Sequence, residues 1–157
     1  MGVSIIMKDF TEFICFNLKA TNKRVEKYMT LFFDDIGINV AQSFILQCLL
    51  YNDGCTLSEI SARAQIENSS LTTMADKLER LGLVERKYDP QNRRVIRLFL
   101  TASGRELAEK VQKAGEEFDR YLTNILGEDV DKLFASFNLI SAGVNQCLAE
   151  TDQNSKQ

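Results

Sequence analysis

Residues 56–101 read TLSEISARAQIENSSLTTMADKLERLGLVERKYDPQNRRVIRLFLT, and the fold turns on them. Thr56-Leu57-Ser58-Glu59 is a capping-box pattern, in which the Thr hydroxyl and the Glu carboxylate satisfy free amides of a helix start reciprocally. The short helix it opens turns Leu57, Ile60 and Ala64 inward. Gln65-Ile66-Glu67 is a three-residue connection. A second helix follows from Asn68 or Ser69 to Leu81, with Leu71, Met74, Ala75, Leu78 and Leu81 at i, i+3, i+4, i+7 and i+10 as its inner stripe. Gly82 suits a left-handed stop. The period then changes to two. Val84, Arg86 and Tyr88 alternate with Glu85 and Lys87, which predicts a half-exposed strand from Leu83 to Tyr88. Val95 to Leu100 reads as its partner, and Asp89-Pro90-Gln91-Asn92-Arg93-Arg94 as the turn between them. The order helix, turn, helix, hairpin predicts a mainly α chain with a small β-hairpin wing, a winged helix-turn-helix.

Outward from this unit the chain is helical. Residues 5–33 lack breakers and carry Ile6, Phe10, Phe13, Ile14, Phe16 and Leu18, then Val25, Tyr28, Leu31 and Phe32. That is apolar on more than one side, and a subunit interface is the expected cover. Asp35-Ile36-Gly37 ends this helix. Asn39 caps the next, whose inner face is Phe44, Ile45, Cys48 and Leu49. Thr101 caps a long helix to Leu126 with the stripe Leu107, Val111, Ala114, Phe118, Leu122 and Ile125. After Gly127 a last helix carries Val130, Leu133, Phe134, Phe137, Ile140, Val144 and Leu148. The expected organisation is one domain over residues 1–157. Residues 5–33 and 101–149 are dimerisation helices, 39–100 the winged unit, and 151–157 a flexible tail.

Composition narrows the function. The 157 residues include no His, so His-based nucleophile pairs, His metal ligands and a histidine pH switch are excluded. The four Cys, at 15, 48, 55 and 147, match no CxxC metal pattern. No phosphate loop or acid–base pair is present, and neither enzyme activity, metal nor cofactor is expected. The opening MGVSIIMKDF does not read as a signal peptide, and no apolar run is long enough for a membrane span. A reduced, cytoplasmic setting and no membrane partner are expected.

Short polar side chains crowd the start of the second helix of the winged unit: Asn68, Ser69, Ser70, Thr72 and Thr73, with Lys77 a turn later. Such residues let a helix approach base edges and phosphates closely in a major groove. Helix capping is the other reading for Asn68 and Ser69. The net charge is −3, yet from Asp76 to Arg97 seven basic residues stand against four acidic ones, while residues 1–75 sum to −2 and residues 98–157 to −4. The base is concentrated on the hairpin, where phosphate binding would use it.

The run Leu57-Ser58-Glu59-Ile60, Leu78-Glu79-Arg80-Leu81-Gly82-Leu83-Val84-Glu85-Arg86, Asp89-Pro90-Gln91-Asn92-Arg93-Arg94 and Leu100-Thr101-Ala102-Ser103-Gly104 resembles the multiple-antibiotic-resistance regulator (MarR) family of winged-helix transcription factors. The resemblance implies a homodimer with interlocked terminal helices, acting on double-stranded DNA as a repressor at a pseudo-palindromic site. It implies that Ser70, Thr72, Thr73 and Lys77 face the major groove and that Arg94 enters the minor groove; Arg86 and Arg93 complete the DNA-binding set. Two positions depart from the family's pattern. Asn92 stands where an Asp usually orients the wing arginines, and Thr73 where an Arg is frequent.

Cys15-Phe16 is similar to the family's organic-hydroperoxide-sensing branch, whose cysteine is oxidised to a sulfenic acid and then a mixed disulfide. That branch has tyrosines where this chain has Lys19, Met29 and Val40; Tyr28 is one residue off. Lys19 at i+4 is a substitute that could stabilise a thiolate. A plain apolar cysteine is the other reading of Cys15, and Cys48, Cys55 and Cys147 read as packing residues. The alternative switch is a small apolar or phenolic effector held near the first helix and Phe44. From a different class, the winged helix could be an adaptor whose basic hairpin binds an acidic protein, since fold alone does not fix function.

Overall fold

A computed structural model describes residues 9–33 and 37–154, without the Phe32 side chain. Helices α1 (Ile14–Phe33) and α2 (Val40–Tyr51) lead to a two-residue strand β1 (Cys55–Thr56). Then come α3 (Leu57–Ala64), α4 (Asn68–Arg80), β2 (Val84–Tyr88) and β3 (Ile96–Leu100), and finally α5 (Ala102–Leu126) and α6 (Val130–Asn154). The chain forms two compact units, divided between Ala114 and Gly115 within α5.

The first unit holds the core. Ile45, Leu46 and Leu49 of α2, Ile60 of α3, Leu71, Ala75 and Leu78 of α4, and Leu98 of β3 have no accessible surface. Three capped ends set this packing. Thr56 and Glu59 form the expected reciprocal box, with Thr56 Oγ1 accepting from the Glu59 amide at 3.2 Å and Glu59 Oε2 accepting from the Thr56 amide at 2.7 Å. Asn39 and Gln42 make a second box at the start of α2. Thr101 Oγ1 accepts from the Gly104 amide at 3.0 Å to open α5. Between α3 and α4, Gln65 takes the left-handed conformation and closes the turn in three residues.

The sheet is antiparallel in the order β1-β3-β2. Its register pairs Val84 with Leu100, Arg86 with Leu98 and Tyr88 with Ile96. The hairpin was legible, but the third strand was not. Two residues, Cys55 opposite Leu98 and Thr56 opposite Arg97, cannot display a period.

Other expectations are corrected. The first helix does not run unbroken through residues 9–14. Asp9 accepts from the Thr11 amide at 2.8 Å and caps a 3₁₀ turn over Phe10–Glu12, and Phe13 is extended before α1 begins. Residues 5–8 and Asp35-Ile36 lie outside the described residues, while Gly37 has the positive φ expected of a helix stop. Phe44 is 38% exposed and Leu46 takes the inner position. Leu81 is exposed, because α4 ends at Arg80 and Gly82 bends the chain back so that the Leu83 amide reaches the Leu78 carbonyl at 3.0 Å. β3 starts one residue after Val95. The tail is helical through Asn154, the rest lying outside the described residues.

In the second unit, from Gly115 onward, nothing is buried among the described residues. Tyr121, Ile125, Phe134, Phe137, Leu139, Val144 and Leu148 are exposed, and Cys147 is exposed rather than packed. Phe10 and Phe13 ahead of α1, and Ile14, Phe16 and Leu31 within it, are exposed as well.

The root of the wing is joined to α5 by close contact. Thr101 Oγ1 donates to the Gly82 carbonyl at 2.6 Å, and a Cβ on Gly104 would lie 1.8 Å from the Leu83 carbonyl oxygen. Gly104→Ala therefore forces backbone apart, and a loss of about 3 kcal/mol in stability is expected from such overpacking. Chemical denaturation checks it; an unchanged midpoint would contradict the close approach.

Candidate nucleic-acid interface

Helix α4 is two-faced because its stripe is anchored. With Leu71, Ala75 and Leu78 buried, Asn68, Ser69, Ser70, Thr72, Thr73 and Lys77 are all held outward in solvent. The N-cap is Glu67, and it makes no side-chain cap bond, so the capping reading of Asn68 and Ser69 is set aside. Asn68 instead begins the helix, and its carbonyl accepts from Thr72 Oγ1 at 3.2 Å. The amides of the first turn have no partner within the helix and point out of its end, a favourable place for an anion.

Beside α4 runs an open groove of about 510 Å³. Ser69, Ser70, Thr73, Met74, Lys77 and Arg80 of α4 line it together with Gln42 of α2 and the α2 cap Asn39. Arg80 is the residue that sequence reasoning missed here. Thr73, Lys77 and Arg80 stand at i, i+4 and i+7, and that helical spacing was the available signal.

The wing is braced from its root. Asp89 accepts from the Gln91 amide at 2.8 Å, the Asn92 amide at 3.2 Å and Arg97 Nε at 2.6 Å. Arg97 also donates to the Gly54 carbonyl at 2.9 Å, tying the turn to the loop before β1. Arg97 holds the Asp89 carboxyl below the ordinary aspartate range, with the two turn amides adding to the effect. Asn92 Oδ1 accepts from the Arg94 amide at 3.1 Å, so this side chain orders the turn backbone rather than an arginine head. Arg93 and Arg94 are exposed at the tip.

Ion pairing sorts the local charge. Arg86 spans from β2 to α4, pairing with Asp76 at 2.6 Å and also with Glu79. Lys87 pairs with Glu85, and Arg97 with Asp89. The four acidic residues of the segment are thus held by three basic ones. Lys77, Arg80, Arg93 and Arg94 are left without an acidic partner among the described residues. Arg86 is brought close to α4 but its guanidinium is engaged inside the chain.

The cysteines divide. Cys48 and Cys55 are buried, and burial pushes both thiols up, away from thiolate. Cys15 is exposed on α1. Among the described residues no group of three or more Cys, Asp or Glu is placed to hold a metal, and no helix is long and apolar enough to cross a membrane.

Comparison with known proteins places this geometry. The profile of the MarR family matches residues 38–96. The HTH-type transcriptional repressor MdtR of Bacillus subtilis (strain 168) is 34% identical over 116 residues, which cover 73% of this chain and 74% of that protein. The organic hydroperoxide resistance transcriptional regulator of the same organism is 27% identical over 97 residues, 62% of this chain and 66% of that protein. Among solved structures, the repressor CouR bound to a 23-mer DNA duplex superposes with a TM-score of 0.72 at 27% identity, covering 87% of this chain and 98% of that one. The MepR–DNA complex of S. aureus gives a TM-score of 0.78 at 21% identity, covering 84% and 98%.

The Asp89 bracing has a pH signature. A depressed carboxyl keeps its bonds above its unfolded pKa of about 3.9, and they are lost only as pH falls through the lower folded value. Protection of the Gln91 and Asn92 amides from hydrogen exchange is therefore expected to persist down to about pH 4 and to fade below it. In Asp89→Ala that protection is expected to be absent at every pH. Protection that survives in the variant would remove Asp89 from the turn.

Proposed function

The chain belongs to the MarR family of transcriptional regulators, and on that premise we propose that it acts in the cytoplasm as a homodimeric repressor, not an enzyme, on a pseudo-palindromic operator. The observation that carries the reading is the set Lys77, Arg80, Arg93 and Arg94, two on α4 and two at the wing tip, without acidic partners among the described residues and beside the exposed Ser69, Ser70 and Thr73. α4 enters the major groove, with Asn68, Ser69, Ser70, Thr72, Thr73 and Lys77 on its reading face. Arg93 and Arg94 reach the backbone and the minor groove, whose narrow A·T-rich form attracts arginine. Arg86 serves the interface by fixing the angle between α4 and the wing. Dimerisation is supported by the exposed apolar side chains of α1 and, separately, of the unit beyond Gly115, which a second copy would cover. Residues 5–33 and 101–149 are its dimerisation segments, and 39–100 its reading head.

Selection from random duplex DNA is expected to enrich an inverted repeat. Arg94→Ala is expected to weaken binding and to reduce the salt slope by about 1. A folded dimer that enriches no sequence at low salt would contradict the assignment.

Release from DNA follows from a small apolar or phenolic ligand or from oxidation of Cys15. In the second case the thiolate attacks the terminal oxygen of an organic hydroperoxide, the O–O bond breaks, the sulfur is oxidised to a sulfenic acid, and the alkoxide leaves and takes a proton from water to give the alcohol. Cys15 is exposed on α1 of the single chain, and this route requires that the second copy leave its thiol uncovered. An organic hydroperoxide is expected to dissociate the wild-type complex and to leave Cys15→Ser bound. If Cys15→Ser releases DNA equally, the ligand carries the switch.

A further inference from the structure

The core-facing side of the wing extends past the core. Side chains alternate along a strand, so Val84, Arg86 and Tyr88 of β2 share one face with their partners Leu100, Leu98 and Ile96 of β3. Along that face burial falls away from the root. Val84, Leu98 and Leu100 are buried and Arg86 is half-buried, whereas Tyr88 is 69% and Ile96 42% exposed. Arg86 fixes which way the face looks, because from it the guanidinium reaches Asp76 and Glu79 of α4. One register step further out, Tyr88 and Ile96 therefore occupy the ground between α4 and the Arg93-Arg94 tip. The Tyr88 hydroxyl has no hydrogen-bond partner among the described residues. A cross-strand pair of this kind contributes only about 0.2–1 kcal/mol to a hairpin, and it leaves most of Tyr88 and a good part of Ile96 in water.

A duplex supplies an occupant for that ground. Its major and minor grooves are separated by a single sugar-phosphate strand, so a surface that joins a helix in one to arginines in the other has to lie on that strand. We propose that Tyr88 and Ile96 form a saddle for the operator backbone. The Ile96 side chain and the Tyr88 ring pack against deoxyribose, and the Tyr88 hydroxyl donates to a phosphate oxygen. The proposal rests on the DNA-binding reading above, and the patch is continuous with that interface: α4 borders it on one side and the two unpaired tip arginines on the other. A neutral hydroxyl grips phosphate without displacing a counterion, so it adds affinity that salt does not screen in the way it screens an arginine.

The test compares full-length wild type, Tyr88→Phe, Ile96→Thr and Arg94→Ala on the selected inverted repeat and on an unrelated duplex over a range of salt. Tyr88→Phe is expected to lose about three- to ten-fold in affinity, the worth of one hydrogen bond, equally on both duplexes and with the wild-type salt slope. Ile96→Thr is expected to lose about two- to five-fold through lost apolar contact. Both positions are exposed, so melting temperatures and the oligomeric state should match wild type. If both variants bind like wild type while Arg94→Ala binds less tightly, the saddle is wrong and the DNA-binding reading stands. If wild type binds neither duplex, both fall together. A change of oligomeric state in Tyr88→Phe or Ile96→Thr would overturn the saddle in favour of a contact between copies.

Discussion

Everything at the interface depends on one packing constraint: α4 must bury Leu71, Ala75 and Leu78 completely, which turns its polar and cationic side chains outward. Ile60 of α3 and the α2 residues Ile45, Leu46 and Leu49 form the surface that receives this stripe. The left-handed Gln65 brings the two helices together in three residues, with Ser61 Oγ donating to the Ile66 carbonyl at 2.7 Å to hold the corner. Burying a large aliphatic side chain contributes about 1.5–3 kcal/mol, so the orientation of α4 is enforced by far more energy than any contact on its outer face. That disparity lets the outer face be chosen for chemistry rather than for stability.

Charge then does what packing leaves undone. A chain of net charge −3 would be repelled by DNA if its charge were spread evenly. Here the acidic residues of the reading segment are each consumed within the fold. Asp76 and Glu79 hold Arg86, which locks β2 to α4, and Asp89 holds Arg97, which locks the wing turn to the Gly54 loop. Two arginines thus act as braces, Lys87 is paired with Glu85 on its own strand, and Lys77, Arg80, Arg93 and Arg94 have no acidic partner among the described residues. Arg86 illustrates why residue type alone does not assign a role: on a basic hairpin it reads as a DNA contact, and its geometry makes it a brace.

Much of this was legible in the chain itself. The Thr56–Glu59 box, the 3.6-residue stripe of α4, the switch to a two-residue period at Val84 and the stop at Gly82 are local signals, and each appears where its residues stand. What was not legible depends on distant partners. β1 is two residues long and exists only because β3 offers an edge. Phe44 is displaced outward because Leu46, two residues on, fills the core. Leu81 completes a helical period in the sequence but falls after the helix has ended. The Asp89–Arg97 bond joins opposite ends of a turn whose conformation it helps to create, and the Asp9–Thr11 turn interrupts a stretch that is otherwise uniformly helix-forming. Arg80 was missed although its spacing continues the Thr73–Lys77 row.

The exposed apolar side chains of α1 and of α6 are what the proposed dimer has to account for. A second copy related by a two-fold axis would cover them and would carry a second reading head, so the operator should share the symmetry of the protein. The most direct measurement is the affinity of the protein for its selected inverted repeat before and after five base pairs are inserted between the half-sites. Five base pairs turn one half-site about half a helical turn away from the other. Two rigidly coupled heads then cannot engage together, and a loss of about a hundred-fold or more is expected, down to non-specific binding. Undiminished affinity for the spaced duplex would contradict a dimer reading both half-sites at once.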